Sequence, residues 1–152
     1  MLKSIEGNFD NLEVNELLTK HFVELRAASP EGSAHVLDIP GLKVPSIKFW
    51  SLWDGEKLIG CGALKFLDKE HGEFKSIRIH DNFRKQGQGI NVINHLINEA
   101  KKLNIKRISI ETGAGDFFIP ARKLFKRTGF SECEPFAHYK VDINSVYLTK
   151  KI

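Results

Sequence analysis

A chain of 152 residues fits one domain and leaves little room for a second full one. With 41% hydrophobic and 28% charged residues it sits near the soluble globular average, which excludes coiled coil, collagen-like repeats and wholesale disorder. The 23 Lys and Arg against 19 Asp and Glu give +4, a balance that favours anionic ligands, a phosphate-bearing cofactor as readily as nucleic acid.

The opening residues, Met1 to Glu6, carry an acid early and lack the apolar segment of a signal peptide, so a cytoplasmic location is expected. After Asp10 and Asn11, both suited to a helix N-cap, Val14, Leu17, Leu18, His21, Phe22 and Leu25 recur at helical spacing and predict an amphipathic helix ending near Ala28. From Ser29 to Pro45 the pattern dissolves into Ser-Pro-Glu-Gly-Ser and Ile-Pro-Gly-Leu, a long loop with room for a short helical turn. Ile47 to Trp53 and Lys57 to Leu67 then read as strands joined by a hairpin turn at Asp54-Gly55. A further turn around Asp68 to Gly72 leads into a third strand, Glu73 to Ile79, completing an antiparallel meander. Strict alternation puts Glu73, Lys75, Ile77 and Ile79 on one face and Phe74, Ser76, Arg78 and His80 on the other.

In the second half, Ile90, Ile93, Leu96, Ile97, Ala100 and Leu103 predict a helix that stops at Asn104. Arg107 to Thr112 reads as a strand, Pro120 to Arg127 as a helix ended by Thr128-Gly129, and Phe130 to Cys133 and Ser145 to Thr149 as two short strands. The strand, helix, strand, helix order implies one parallel pairing across a helical crossover. The expected fold is therefore a single mixed α+β domain spanning residues 1–152. The longest stretch without a charge, Gln86 to Asn98, is too short and too polar for a membrane span. Cys61 and Cys133 have neither disulfide-scaffold nor zinc spacing, and the six histidines show no ligand pattern, so no metal is expected.

The most informative stretch is Arg84-Lys85-Gln86-Gly87-Gln88-Gly89-Ile90, between a strand and a helix start. Glycines admit a ligand close to the backbone, and a helix N-terminus offers unpaired N–H groups and partial positive charge, which together make an anion cradle. Glycine spacing alone leaves this reading level with an ordinary loop. A Walker loop is excluded because Ile90-Asn91 follows Gly89, and the dinucleotide fingerprint because Val92 stands where a third small residue belongs.

With Arg84, Gly87 and Gly89 in place, and Ala121, Leu124, Phe125, Gly129 and Phe130 in register downstream, the sequence resembles the GNAT superfamily of acyl-coenzyme A N-acyltransferases. The resemblance covers nearly the whole chain. Locally, Ile47 to Leu67, Gly72 to Arg78, Glu111-Thr112-Gly113, Pro120 to Leu124 and Cys133-Glu134-Pro135-Phe136 look like a bacterial branch labelled acetyltransferase, sometimes indole-acetate acetyltransferase. The resemblance implies a GNAT-like, mostly antiparallel sheet flanked by helices and an acetyl-CoA cosubstrate whose thioester an amine attacks directly in a ternary complex. It further implies that the backbone of Ile77, Arg78 and Ile79 pairs with the pantetheine arm. The amides of Lys85, Gln86, Gly87, Gln88, Gly89 and Ile90, with Arg84 nearby, would then hold the pyrophosphate. Phe118 and Phe125 occupy positions where the family often has Asn and Tyr, so the usual general acid is missing and the cofactor contact there becomes apolar. Tyr139 or a water is the remaining proton source.

A protonated amine needs a base. Glu73, at the start of the strand before the loop, is the first candidate, level with a solvated strand-end carboxylate; Glu111 is the second, against a structural acid. The acceptor site is expected from Ser29 to Lys43, from the strands around Trp50 and from the tail near His138. Ser76 and Arg78 share a predicted face, and Arg78 could pair bidentately with a carboxylate or serve a structural ion pair. Partners are thus expected to be a small-molecule amine or peptide, with a homodimer reasonable and neither nucleic acid nor membrane. The competing readings are a module that binds acyl-CoA without turnover and, on the basic pairs Lys101-Lys102, Lys106-Arg107, Arg122-Lys123 and Lys126-Arg127, a nucleic-acid binder.

Overall fold

The computed structural model describes every residue from Met1 to Ile152. Its sheet contains β1 (Lys3–Glu6), β2 (Ile47–Asp54), β3 (Lys57–Phe66), β4 (His71–Ile79), β5 (Arg107–Gly113), β6 (Ser131–Glu132) and β7 (Ser145–Lys151). The spatial order is β1-β2-β3-β4-β5-β7-β6, and every pairing is antiparallel except β4 with β5. Helices α1 (Leu12–Ala28) and α2 (Ile39–Leu42) pack on one face, α3 (Gln88–Lys102) and α4 (Ile119–Arg127) on the other, which is the α+β arrangement expected. No helix is long and apolar enough to cross a membrane.

The local reasons are those of the sequence. Asn11 caps α1, its side-chain oxygen accepting from the Val14 N–H at 3.1 Å, and Val14, Leu17, Leu18 and His21 form the buried stripe. That stripe meets Leu42, Phe49, Leu58, Cys61 and Ala63 in the smaller of two cores. The larger core joins Val92, Ile93, Leu96 and Ile97 of α3 to Leu64, Phe74, Ile108, Ile110 and Phe130. Truncating a fully buried leucine such as Leu96 to alanine costs about 2–5 kcal/mol. The β2–β3 hairpin turns through Gly55 and Glu56, Gly55 at φ 60° in the first central position. β1 has no counterpart in the sequence reading, because its residues are mostly exposed and lack apolar alternation.

One irregularity positions everything that follows. The β3–β4 register shifts between Cys61 and Ala63, where Ser76 at φ 54° inserts an extra residue into β4. This bulge overturns the predicted alternation. Phe74, Ile77 and Ile79 all pack on the α3 side, while Arg78 and Lys75 pair with Cys61 and Ala63, which face α1. Gly62, opposite the bulge, makes space for Leu96: a Cβ there would lie 2.4 Å from its Cδ1.

Candidate active site

The parallel strands β4 and β5 pair only from His71–Glu73 to Arg107–Ser109 and then part. Between them opens a cavity of about 800 Å³, a size that suits a large organic ligand. One wall is β4 with the loop from Phe83 to Ile90, the other is the end of β5 with Phe117, Phe118 and α4, and α1 and the segment from Ser29 to Leu37 close the remaining side.

The loop is a backbone site. Gly87 takes φ 78° and caps α3 without a side chain, and the N–H groups from Lys85 to Ile90 make no well-formed hydrogen bond within the protein. The first turn of α3 holds no acid, so the positive end of the helix dipole is left uncompensated at the loop. Arg84, Lys85, Lys123 and Arg127 line the cavity, Arg84 sharing Asp81 at 3.2 Å. The two glycines differ in purpose. A Cβ on Gly87 would meet nothing within 4 Å, so its requirement is conformational; one on Gly89 would stand 2.7 Å from Leu124, so Gly89 also permits α3 to pack on α4. Gln86 and Gln88, expected at the site, do not line the cavity, and their side chains are bonded to the Asn82 carbonyl at 3.0 Å and to Asn91 at 3.2 Å. Ile90 remains at the cavity rim.

The facing wall is apolar. Phe118 lies over Gly113, where a Cβ would come within 2.1 Å of its ring, and Arg122 fixes this turn by donating to the Gly113 and Gly115 carbonyls at 2.7 and 2.9 Å. Phe125 lines the cavity from α4, its ring 5.9 Å from that of Phe130.

On the α1-facing side of β4 and β5 the carboxylates gather. Glu73 is 1% exposed, and its Oε2 accepts from the Tyr139 hydroxyl at 2.6 Å and from Lys75 Nζ at 3.3 Å. Lys75 also donates to Tyr139 at 3.2 Å. Glu73 lines the cavity, and its Oε1 is buried with no partner. Burial, and then the Glu73 carboxylate, push the Tyr139 phenol far above its ordinary value, so it keeps its proton and donates it to Glu73. The hydroxyl thereby supports the Glu73 carboxylate. Glu111 lines the same cavity, accepts from Ser145 Oγ at 2.8 Å, and is pushed upward by burial. Lys75 escaped the sequence reading, although its i+2 spacing from Glu73 was the available signal.

The remaining expected residues divide. Ser76 lines the cavity at the bulge, with Oγ unpartnered. Arg78 is 4% exposed and its Nη2 donates to Glu24 at 2.5 Å and Asp81 at 3.3 Å, so its side chain forms an ion pair that ties β4 to α1. His21, missed as a site residue, lines the cavity beside them, and burial with Arg78 and Arg84 nearby holds it down at about 3, neutral. Two expectations are corrected. Trp50 belongs to the larger core and does not line the cavity, because its position on β2 faces the α3 side. His138 is exposed, stacks on Tyr139 at 4.8 Å and does not line the cavity.

Residues 12–130 match the model of the Acetyltransferase (GNAT) family. The chain is 46% identical to the uncharacterized N-acetyltransferase YsnE of Bacillus subtilis (strain 168), over 92% of this chain and 93% of that one. It is 39% identical to the uncharacterized N-acetyltransferase YedL of Escherichia coli (strain K12), over 90% and 86%. A more distant relative, 27% identical over 81% and 80%, is an IAA acetyltransferase of Azospirillum brasilense. Among solved structures, a GNAT family acetyltransferase of Elizabethkingia anophelis with acetyl-CoA bound shares the fold at a TM-score of 0.69 and 18% identity, covering 99% of this chain and 98% of the other.

Proposed function

The chain belongs to the GNAT acetyltransferase family, and on that premise we propose that residues 1–152 act as one N-acetyltransferase domain, moving an acetyl or other short acyl group from acetyl-CoA to a primary amine of a small molecule or peptide. The observation that carries this reading is the run of N–H groups from Lys85 to Ile90 without a well-formed hydrogen bond inside the protein, opening a helix at the mouth of a cleft between two parting strands. Those groups fit a pyrophosphate, and the fit rests on backbone that a Cβ at Gly87 would force out of φ 78°.

Acetyl-CoA supplies the acyl group as an activated thioester. Everything else falls to this chain's residues. The inner edge of β4 at Ile77, Arg78 and Ile79 has lost β5 as a partner and offers main-chain groups to an extended arm, as a sheet edge accepts an added strand. Phe118 and Phe125 give that arm an apolar wall and exclude water. Arg84 and Lys85 add positive charge beside the phosphates. Glu73 takes the proton from the acceptor ammonium, directly or through one water, with Tyr139 and Lys75 fixing its other oxygen. Glu111 is the second carboxylate of the pocket. Positioning of the two reactants in one ternary complex supplies much of the acceleration.

The test is calorimetric titration with acetyl-CoA and with coenzyme A, followed on the same sample by thiol release against a panel of small amines. Binding with amine-dependent release is expected. Failure of both nucleotides to bind would overturn the assignment of the loop.

A further inference from the structure

Five buried side-chain polar atoms have no hydrogen-bond partner: His21 Nδ1, Glu73 Oε1, Ser76 Oγ, Arg78 Nε and His95 Nε2. Four of the five belong to residues that line the cavity between β4 and β5. Buried polar groups are almost always satisfied, so such a concentration at one wall marks groups arranged for a partner that arrives from outside. Glu73 is already placed as the base. His21, Ser76 and Arg78 remain, contributed by α1 and by the bulged part of β4.

Their chemistry is specific. A guanidinium only donates, so whatever meets Arg78 Nε must be an acceptor. Ser76 adds a hydroxyl donor on the same cavity wall, and two donors suit the two oxygens of a carboxylate. The charge balance agrees. Around Asp81 and Glu24 stand three cations, Arg78, Arg84 and Lys20, against two carboxylates, and the neutral His21 adds no further charge. Toward the other end of the same face, Glu73 and Glu111 outnumber Lys75. The wall therefore runs from acidic at Glu73 to cationic at Arg78. With the bulge taken up, they stand four partner positions apart along β3, Lys65 to Cys61, about 13 Å between main-chain positions at roughly 3.3 Å per residue. That span exceeds the single carbon between the amine and carboxylate of an α-amino acid.

We propose that His21, Ser76 and Arg78 form a carboxylate subsite of the acceptor pocket, so that the preferred acceptor is a small amine whose carboxylate lies several carbons from its nitrogen. This rests on the acyltransferase reading above and narrows its substrate class. Arg78 thereby has two tasks: Nη2 holds α1 through Glu24, and Nε receives the acceptor.

The experiment uses a series of ω-amino acids of increasing chain length, each beside the carboxamide and the plain alkylamine of the same length. Binding is read calorimetrically on the coenzyme A-saturated protein, and kcat/KM by thiol release with acetyl-CoA. The acids should exceed both partners by about tenfold or more at the matching length, as a site built for hydrogen bonding rejects analogues that leave it unpaired. Ser76→Ala, which keeps the Arg78 ion pairs, should shrink that ratio several-fold, and Arg78→Gln should bring it close to one. Glu24→Gln, which removes one of the two carboxylates paired with Nη2 and leaves Asp81, should tighten binding of the acids relative to the amides. Thermal melts of each variant identify loss of fold, and Ser76→Ala decides the matter if Arg78→Gln does not fold. Equal use of acids, amides and amines would overturn the subsite while leaving the transferase reading intact. Acetyl-CoA binding with no acid-specific acceptor binding would also overturn it. Absence of acetyl-CoA binding would count against the transferase reading itself.

Discussion

The loop at the head of α3 and the carboxylate cluster on β4 and β5 lie in one cavity and are built on opposite plans. The loop recruits neighbours in sequence, Arg84 to Ile90, and presents main chain. The cluster recruits Glu73, Lys75, Glu111, Tyr139 and Ser145 from four segments, and presents side chains. A main-chain site tolerates any side chain that leaves its dihedral angles alone. A side-chain site tolerates few exchanges, since each group satisfies another: removing the Tyr139 hydroxyl leaves Glu73 Oε2 with Lys75 alone.

The contrast can be broken or sharpened by substitution. The largest effect is expected from Glu73→Gln, which should lower turnover by about 10³-fold with the acetyl-CoA Kd little changed, since it removes the base and leaves the loop untouched. Steady-state thiol release and calorimetry on one preparation check it, and a near wild-type rate would remove Glu73 from the role. Next is Gly87→Val, expected to weaken coenzyme A binding by about tenfold or more because a β-branched residue resists φ 78°. Gly87→Asn, which accepts that conformation, should bind nearly as well as wild type; equal losses in the two variants would show that bulk matters instead. Tyr139→Phe should cost about tenfold in kcat with cofactor affinity preserved, the scale of one hydrogen bond to a charged group. The smallest effect concerns pH. Burial raises the Glu111 carboxyl above its ordinary 4.5, so the folded chain holds that proton more tightly than the unfolded one. Its contribution to stability is complete below that pH and is lost as pH rises through the folded value. Glu111→Gln should therefore gain in melting temperature relative to wild type on going from about pH 4 to about pH 8, and parallel curves would contradict the raised value.

What the sequence disclosed follows the same division. Asn11, Gly55, Gly87 and Gly129 are local conformational signals, and the cap, the hairpin, the loop and the end of α4 stand where those residues place them. The meander, the single parallel pairing and the apolar stripes of α1 and α3 were legible because apolar periodicity is also local. The bulge was not, since a serine at positive φ inside a strand carries no compositional mark, and it reversed the faces of Ile77, Arg78 and Ile79. Trp50 was misplaced because both faces of β2 are buried, so apolar character alone cannot say which core it joins. Tyr139 was visible as a candidate, but only the path of the tail from Cys133 to Asn144 brings it to Glu73, 66 positions away.

The parting of β4 and β5 leaves the strands β1 to β4 and β5 to β7 joined by main-chain pairing at three positions, His71, Gly72 and Glu73. Such a seam is the natural place for the first cooperative opening of the molecule, with the amides beyond Glu73 exchanging with solvent deuterium sooner than those between β2 and β3. A molecule threaded along the seam binds the folded chain and not the unfolded one, so it acts as a staple whose strength grows with the logarithm of its concentration. Supply of the thioester would in this way set how long the folded protein lasts as well as how fast it works.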